Sequence, residues 1–320
     1  MKKFTKMWAI AACALFAGTA AVNAEDYTWK FVTAGDATTY AIRSDGSLWS
    51  WGWNEKGQGG NGVSERTATP TLADGNRVWK KAVGGKAYGF FLAEDGSLWA
   101  AGTHEGGVQG TNDGIDHKVL TRIGTDNDWA DMACSRFWGY SGFAIKTNGT
   151  LWAWGKNSAG QLGIGNTQAQ TAPVQVGADM DWKQVAAGCS SVLALKTDGS
   201  LWGWGFNMYS ELFGHEGKQL SPVRLGSETD WEQVVVIDFR AYAVKKDGTL
   251  WAWGDNANNL LGFNTPTEEE TTAEGNPVEV VTVPQITAPT HVTSIEGKVL
   301  TISGCENTLS VATGTDGVIE

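Results

Sequence analysis

The stretch Asn148-Gly149-Thr150-Leu151-Trp152-Ala153-Trp154-Gly155-Lys156-Asn157-Ser158-Ala159-Gly160-Gln161-Leu162-Gly163 decides the fold, because its first half returns at a fixed interval. The same pattern reads Asp45-Gly46-Ser47-Leu48-Trp49-Ser50-Trp51-Gly52, Asp95-Gly96-Ser97-Leu98-Trp99-Ala100-Ala101-Gly102, Asp198-Gly199-Ser200-Leu201-Trp202-Gly203-Trp204-Gly205 and Asp247-Gly248-Thr249-Leu250-Trp251-Ala252-Trp253-Gly254. A further tryptophan leads each unit: Trp29, Trp79, Trp129, Trp182 and Trp231. From leading Trp to hairpin Gly the separations are 17, 17, 20, 17 and 17 residues, and from that Gly to the next leading Trp 33, 33, 33 and 32. Repetition at about 50 residues marks an array of supersecondary units.

Each unit reads as four strands. In the fourth unit they are Trp182–Gly188, Val192–Lys196, Leu201–Gly205 and Pro222–Leu225. Asp198-Gly199 joins the second to the third, since a two-residue hairpin turn needs positive φ and glycine supplies it freely. Proline suits the fourth strand because an edge strand can spare an N–H. By the same reading Pro277–Val280 is the fourth strand of the fifth unit. The expected fold is all-β: a β-propeller of about five four-stranded blades over residues 25–284, with a short C-terminal β tail over 285–320. Alternation puts Trp202 and Trp204 on one face of their strand. The recurring rings are expected to be buried between blades, Trp152 and Trp202 among them.

Composition agrees. The 320 residues hold 42 Gly and 17 Trp, a pairing that fits tight turns between strands burying aromatic rings and does not fit disorder. Net charge is −11, so a phosphate backbone is repelled and nucleic acid is not an expected partner. Residues 1–24 combine Lys2, Lys3 and Lys6 with an apolar run and end in Val22-Asn23-Ala24, which reads as a cleaved export signal. Secreted, periplasmic or cell-surface placement follows, with no membrane span after cleavage. Three cysteines remain, Cys134, Cys189 and Cys305; one bridge or small buried thiols both fit.

The motif D-G-x-L-W-x-W-G-x-N-x-x-G-Q-L-G resembles the repeat of the regulator of chromosome condensation family, over about residues 29–281. The first unit keeps Asn54 and Gly57-Gln58-Gly59, the fourth Asn207 and Glu211-Leu212, and the fifth Asn256 and Leu260-Leu261-Gly262. The second diverges most, with Ala101 for the second Trp. Family members usually close seven blades. Five here leave a five-bladed ring, an open arc or part of a larger propeller; the Trp29 strand and Pro277–Val280 are the ends that would meet in a ring. The best-known member acts on a nuclear GTPase and chromatin, partners an exported acidic protein does not meet. Secreted bacterial propellers of this family include an inhibitor of β-lactamases. The tail resembles the C-terminal β-domains that address proteins to type IX secretion.

No catalytic, cofactor or metal motif stands out. His104, His117, His215 and His291 share no ligand spacing, and Asp126, Asp128 and Asp131 lack the pattern of a calcium loop. The chain reads as a non-enzymatic binding scaffold without cofactor, for an extracellular or periplasmic protein or a surface glycan. A secreted enzyme inhibitor is the first alternative and a polysaccharide-active enzyme the second. Binding residues are sought where units break the pattern. The third unit inserts three residues between its first two strands, adding Arg136, Phe137, Trp138 and Tyr140, residue types enriched at hot spots. Trp53, Phe206, Met208 and Tyr209 follow the third strands of units 1 and 4 and form a second candidate patch.

Overall fold

The computed structural model describes residues 27–136, 139–263, 269–271, 277–279, 285–295, 297–305, 308–315 and 318–319. The expected export signal therefore lies outside the described residues.

Five four-stranded antiparallel sheets follow one another along the chain. The first is β1 (Trp29–Ala34), β2 (Thr38–Arg43), β3 (Leu48–Gly52) and β4 (Thr67–Asp74). The second is β5 (Trp79–Gly84), β6 (Tyr88–Ala93), β7 (Leu98–Gly102) and β8 (His117–Arg122). Next come β9 (Trp129–Cys134), β10 (Ser141–Lys146), β11 (Leu151–Gly155) and β12 (Gln170–Gln175). The fourth holds β13 (Trp182–Ala187), β14 (Ser191–Lys196), β15 (Leu201–Asn207) and β16 (Gly217–Arg224). The fifth begins with β17 (Trp231–Ile237), β18 (Arg240–Lys245) and β19 (Leu250–Asp255). A short hairpin, β20 (Glu269–Thr271) with β21 (Pro277–Glu279), intervenes, and β22 (Gln285–His291) completes the fifth sheet against β19. The first strands of successive sheets touch, so the sheets fan around a common inner side. The all-β propeller reading holds.

The repeat motif is explained residue by residue. In the first unit Asp45 Oδ1 accepts the Ser47 N–H at 2.9 Å and the Ser47 hydroxyl at 2.6 Å, and Ser47 Oγ accepts the Trp49 indole N–H at 2.8 Å. The same relay runs from Asp198 through Ser200 to Trp202, and from Asn148 through Thr150 to Trp152. These bonds hold the Asp45 and Asp198 carboxyls below their ordinary range. Gly205, which ends the motif, sits at φ +95°, and a Cβ there would lie 2.2 Å from the Ser190 carbonyl oxygen. Asn157 then ties down the following loop: its Oδ1 accepts the Leu162 N–H at 2.9 Å and its Nδ2 donates to the Gln168 carbonyl at 3.0 Å.

Between sheets the tryptophans act as keys. Trp204 is fully buried and donates its indole N–H to the Gln161 carbonyl of the preceding unit at 2.8 Å. Trp154 donates to Val108 O and Trp253 to Glu211 O in the same way. The leading Trp backbone N–H bonds to the preceding hairpin glycine, as in Trp79 to Gly46 at 2.9 Å and Trp182 to Gly149 at 3.1 Å. Trp152 and Trp202, expected to be largely buried, are only half-buried; in units 3, 4 and 5 the deep ring is the second of the pair, Trp154, Trp204 and Trp253. The first ring lies beside the hairpin, where Lys146 sits 4.9 Å from Trp152 and Lys196 4.5 Å from Trp202. Asp126 and Asp128, both about half exposed, pair with Lys146, and Asp131 pairs with Lys81. Burial acts to lower the Lys146 pKa, yet the two carboxylates outweigh it and hold the ammonium form.

Two expectations about the chain's end need correction. Pro277–Glu279 pairs with Glu269–Thr271 and not with β19; the fourth strand of the fifth unit is β22. The following residues extend the array: β23 (Lys298–Cys305), β24 (Thr308–Thr315) and β25 (Val318–Ile319) form a three-stranded sheet packed on the fifth. The Val299 N–H bonds to the hairpin Gly248 carbonyl at 2.9 Å, so Val299 takes the place of a leading Trp. Cys134 is a buried free thiol, pushed up to about 12 by burial, and Cys189 is half-buried. The side chain of Cys305 lies outside the described residues.

Candidate functional site

Alternating strand direction divides the loops into two sets. Turns between second and third strands, and the connections between units, lie at one end of the sheets. Loops between first and second and between third and fourth strands lie at the other, here called the loop face. Every described candidate binding residue named from sequence belongs to loop-face segments, but the structure does not bring all of them together.

Units 4 and 5 supply the main convergence. Tyr209 packs on Phe239 with ring centroids 4.9 Å apart. Beside them Met208 is 45% exposed, a large apolar side chain in open solvent. A cleft of about 430 Å³ opens here, lined by Lys156 and Ser158 from unit 3, Cys189 and Met208 from unit 4, and Phe239 and Arg240 from unit 5. Its floor is held by charge: Arg240 is buried and its guanidinium lies 3.2 Å from Asp238 Oδ2. Burial raises the Asp238 pKa, while Arg240 and the more distant Arg136 oppose the rise. Cys189 Sγ lies 3.8 Å from Asp238 Oδ1. A cleft with apolar walls, a fixed ion pair below and an exposed Met at its lip suits a protruding side chain of a partner, because Met adapts its shape to what it meets.

The other candidates divide. Arg136 is half-exposed and close enough to Asp238 to act on its carboxyl, which puts Arg136 near this cleft. Phe137 and Trp138 lie outside the described residues. Tyr140 is not a surface residue: its side chain is 5% exposed and packs on Tyr88, centroids 5.9 Å apart, in the core between units 2 and 3. Its backbone φ of +44° turns the ring inward at the end of the insertion. Phe206 is half-buried on β15, its N–H bonded to Ser190 O. Trp53 is half-buried and bonded to the Ala37–Thr38 turn of its own unit, three units from Met208. Sequence reasoning missed Asp238, Phe239 and Arg240. The available signal was that unit 5 reads Asp238-Phe239-Arg240 where unit 4 reads Cys189-Ser190-Ser191.

Chemistry is sparse. Among the described residues no three His, Cys, Asp or Glu side chains stand close enough to hold a metal ion. His104 and His117 each face a single carboxylate, Asp116 and Asp113, both at 2.8 Å. No helix of the described residues is long and apolar enough to cross a membrane.

Comparison with known proteins follows the same lines. The family model described as the regulator of chromosome condensation (RCC1) repeat matches residues 45–92 and 148–195, and a second model of that description matches 29–58. The ultraviolet-B receptor UVR8 of Arabidopsis thaliana is 30% identical over 163 residues, 50% of this chain and 37% of the receptor. Protein RCC2 of Homo sapiens is 27% identical over 150 residues, 46% of this chain and 19% of that protein. The chain thus matches well under half the length of these relatives. Among solved structures, Prp20p from Saccharomyces cerevisiae, described with its binding properties to Gsp1p and histones, superposes with a TM-score of 0.73 at 19% identity, covering 90% of this chain and 68% of Prp20p. Human WBSCR16 gives 0.65 at 19% identity, covering 80% of this chain and 67% of its own.

Proposed function

We propose that this chain, built of RCC1 repeats, is a non-enzymatic scaffold that captures a protein through its loop face. The observation that carries the reading is the cleft at units 4 and 5, with exposed Met208, the Tyr209–Phe239 pair and the buried Asp238–Arg240 ion pair. Loops on a rigid repeat scaffold are where binding resides, since the strands are committed to holding each other. That Prp20p is described as binding Gsp1p and histones supports protein capture by this fold; those particular partners are not carried over. The basic leader and the net charge of −11 favour an exported setting and a partner outside the cytoplasm.

The test is capture from the exported fraction of the source cells by immobilised protein, followed by titration of the captured species. Met208→Asp combined with Phe239→Ser is expected to weaken that binding at least ~10-fold, the loss of one or two hot-spot contacts. Met208→Asp alone should leave melting unchanged, because Met208 is exposed, whereas Phe239→Ser also removes the ring packed on Tyr209 and should lower the melting point modestly. Equal binding by the double variant would move the interface off this cleft. Loss of activity in a captured enzyme would make the protein an inhibitor; capture of glycan alone would refute protein recognition.

A further inference from the structure

The cleft of units 3 to 5 is built from charge as well as from apolar wall. Lys156 follows β11 and is half-buried, and Arg240 opens β18 with its guanidinium buried in the floor. Arg136, half-exposed just past β9, lies near enough to act on the Asp238 carboxyl. Against these three cations the described residues lining the cleft set one carboxylate, Asp238, and Arg240 already holds it at 3.2 Å. Glu211 is tied to the adjoining loop, where its Oε2 accepts the Tyr209 N–H at 2.8 Å. It is fully buried, and burial pushes its carboxyl up to about 7, which blunts its negative charge near neutral pH. Two hydroxyls complete the wall: Ser158 is exposed and Ser190 half-buried. The cleft thus carries a positive excess in a chain whose net charge is −11.

We propose that this cleft is a carboxylate receptor: a partner protein inserts an acidic side chain against Lys156 and Arg240 and lays an apolar neighbour on Met208 and Phe239. The inference rests on the reading that the cleft captures a protein, and it names the chemistry of the segment captured. Three kinds of side chain could enter a space of about 430 Å³. An apolar one would strip water from the Lys156 ammonium and return nothing, and a charge desolvated without compensation is costly. A cationic one would compete with Arg240 for Asp238, and breaking a buried pair leaves the other member uncompensated. A carboxylate meets the ammonium and the serine hydroxyls and leaves the Asp238–Arg240 pair intact. It can also share Arg240, because a guanidinium carries five N–H donors and one carboxylate does not exhaust them. Over the rest of the chain the negative excess repels an acidic segment, so attraction at this one place also orients the encounter.

Two capped peptides test it, acetyl-Gly-Leu-Glu-Leu-Gly-amide and its Gln counterpart, each carrying an uncharged fluorophore. In anisotropy titrations with the purified chain the Glu peptide is expected to bind at least ~10-fold tighter than the Gln peptide, the worth of one charge-assisted contact. Added salt should erode that difference. Lys156→Glu should weaken the Glu peptide at least ~10-fold and leave the Gln peptide unchanged. Lys156→Gln removes the charge without reversing it; it should lose a smaller part of the preference while melting like the parent, which separates lost recognition from lost folding. Lys246→Glu is the control. It makes the same change in net charge at an exposed position at the hairpin end of unit 5, and both affinities should stay as they are.

Equal affinity for the Glu and Gln peptides overturns the proposal, as does binding of neither at roughly 5 mM. So does a loss in Lys246→Glu that matches the loss in Lys156→Glu, because the effect would then belong to the charge of the whole chain. Failure here and failure of the capture reading are distinguishable. If Met208→Asp with Phe239→Ser loses capture while Lys156→Glu still binds the Glu peptide normally, the cleft takes a protein without reading an acid, and only the carboxylate proposal falls. If that double variant captures as before, the capture surface lies elsewhere; a Glu preference that Lys156→Glu erases would still establish the carboxylate site.

Discussion

Replacing Trp204 by alanine is expected to lower the unfolding free energy by about 3–5 kcal/mol, read as a fall in the denaturation midpoint. The ring is fully buried and packs edge-on to Trp182, centroids 6.0 Å apart. Its indole N–H reaches the Gln161 carbonyl at 2.8 Å, and its edge lies against Gly163, where a Cβ would come within 2.8 Å of the ring. Truncation leaves a cavity at a junction between sheets and strips a buried carbonyl of its donor, and these penalties add. Trp202→Ala should cost clearly less. That ring is half-buried, and its N–H bonds locally to Ser200 Oγ at 2.9 Å. Equal losses for the two variants would contradict the division of labour between first and second Trp.

The array was legible because each unit repeats the same chemistry in the same order. Asp198, Gly199, Ser200, Leu201 and Trp202 each do one job, and a strict spacing exposes all of them at once. What stayed hidden lacked the tryptophan signature. The strands of the last sheet, Lys298–Cys305 and Thr308–Thr315, are rich in Thr and Ser and carry no Trp, so they read as an appendage. Strand β22 was displaced in the reading by Pro277–Glu279, whose Pro-Val pattern suits an edge strand equally well. Pattern alone cannot say which of two such segments docks on β19. Burial order within the Trp pair was also invisible. Alternation puts both rings on one face, but only the preceding unit's loop decides which is covered. The candidate site was half legible: Met208 and Tyr209 broke the repeat visibly, whereas Tyr140 did so too and turned out to be core.

Glu211 is the remaining irregularity, and it predicts a pH dependence of stability. It occupies the position that Gln58 and Gln161 hold in units 1 and 3. There Gln161 Oε1 accepts the Ala159 N–H, and its Nε2 donates to the Gly139 carbonyl. Glu211 Oε2 accepts the Tyr209 N–H at 2.8 Å and Oε1 lies 3.3 Å from Ser191 Oγ, but a carboxylate has no proton to donate. Its residue is fully buried, and burial pushes the carboxyl up to about 7 against the hydrogen bonds that lower it. The folded state therefore holds its proton more tightly than the unfolded chain. That contribution is fully present below the unfolded pKa of about 4.5 and is lost as pH rises through about 7. Above pH 8 the native state carries a buried charge that costs on the order of 3 kcal/mol relative to the protonated form. Glu211→Gln restores the donor without the charge. Denaturant unfolding at pH 5 should distinguish the two proteins little, whereas at pH 8.5 the glutamine variant should be the more stable by up to that amount. The backbone carbonyl of residue 211 accepts the Trp253 indole N–H at 2.8 Å, so relief of the charge should steady the junction between units 4 and 5. A pH-independent difference between the two proteins would show that Glu211 does not titrate in this range.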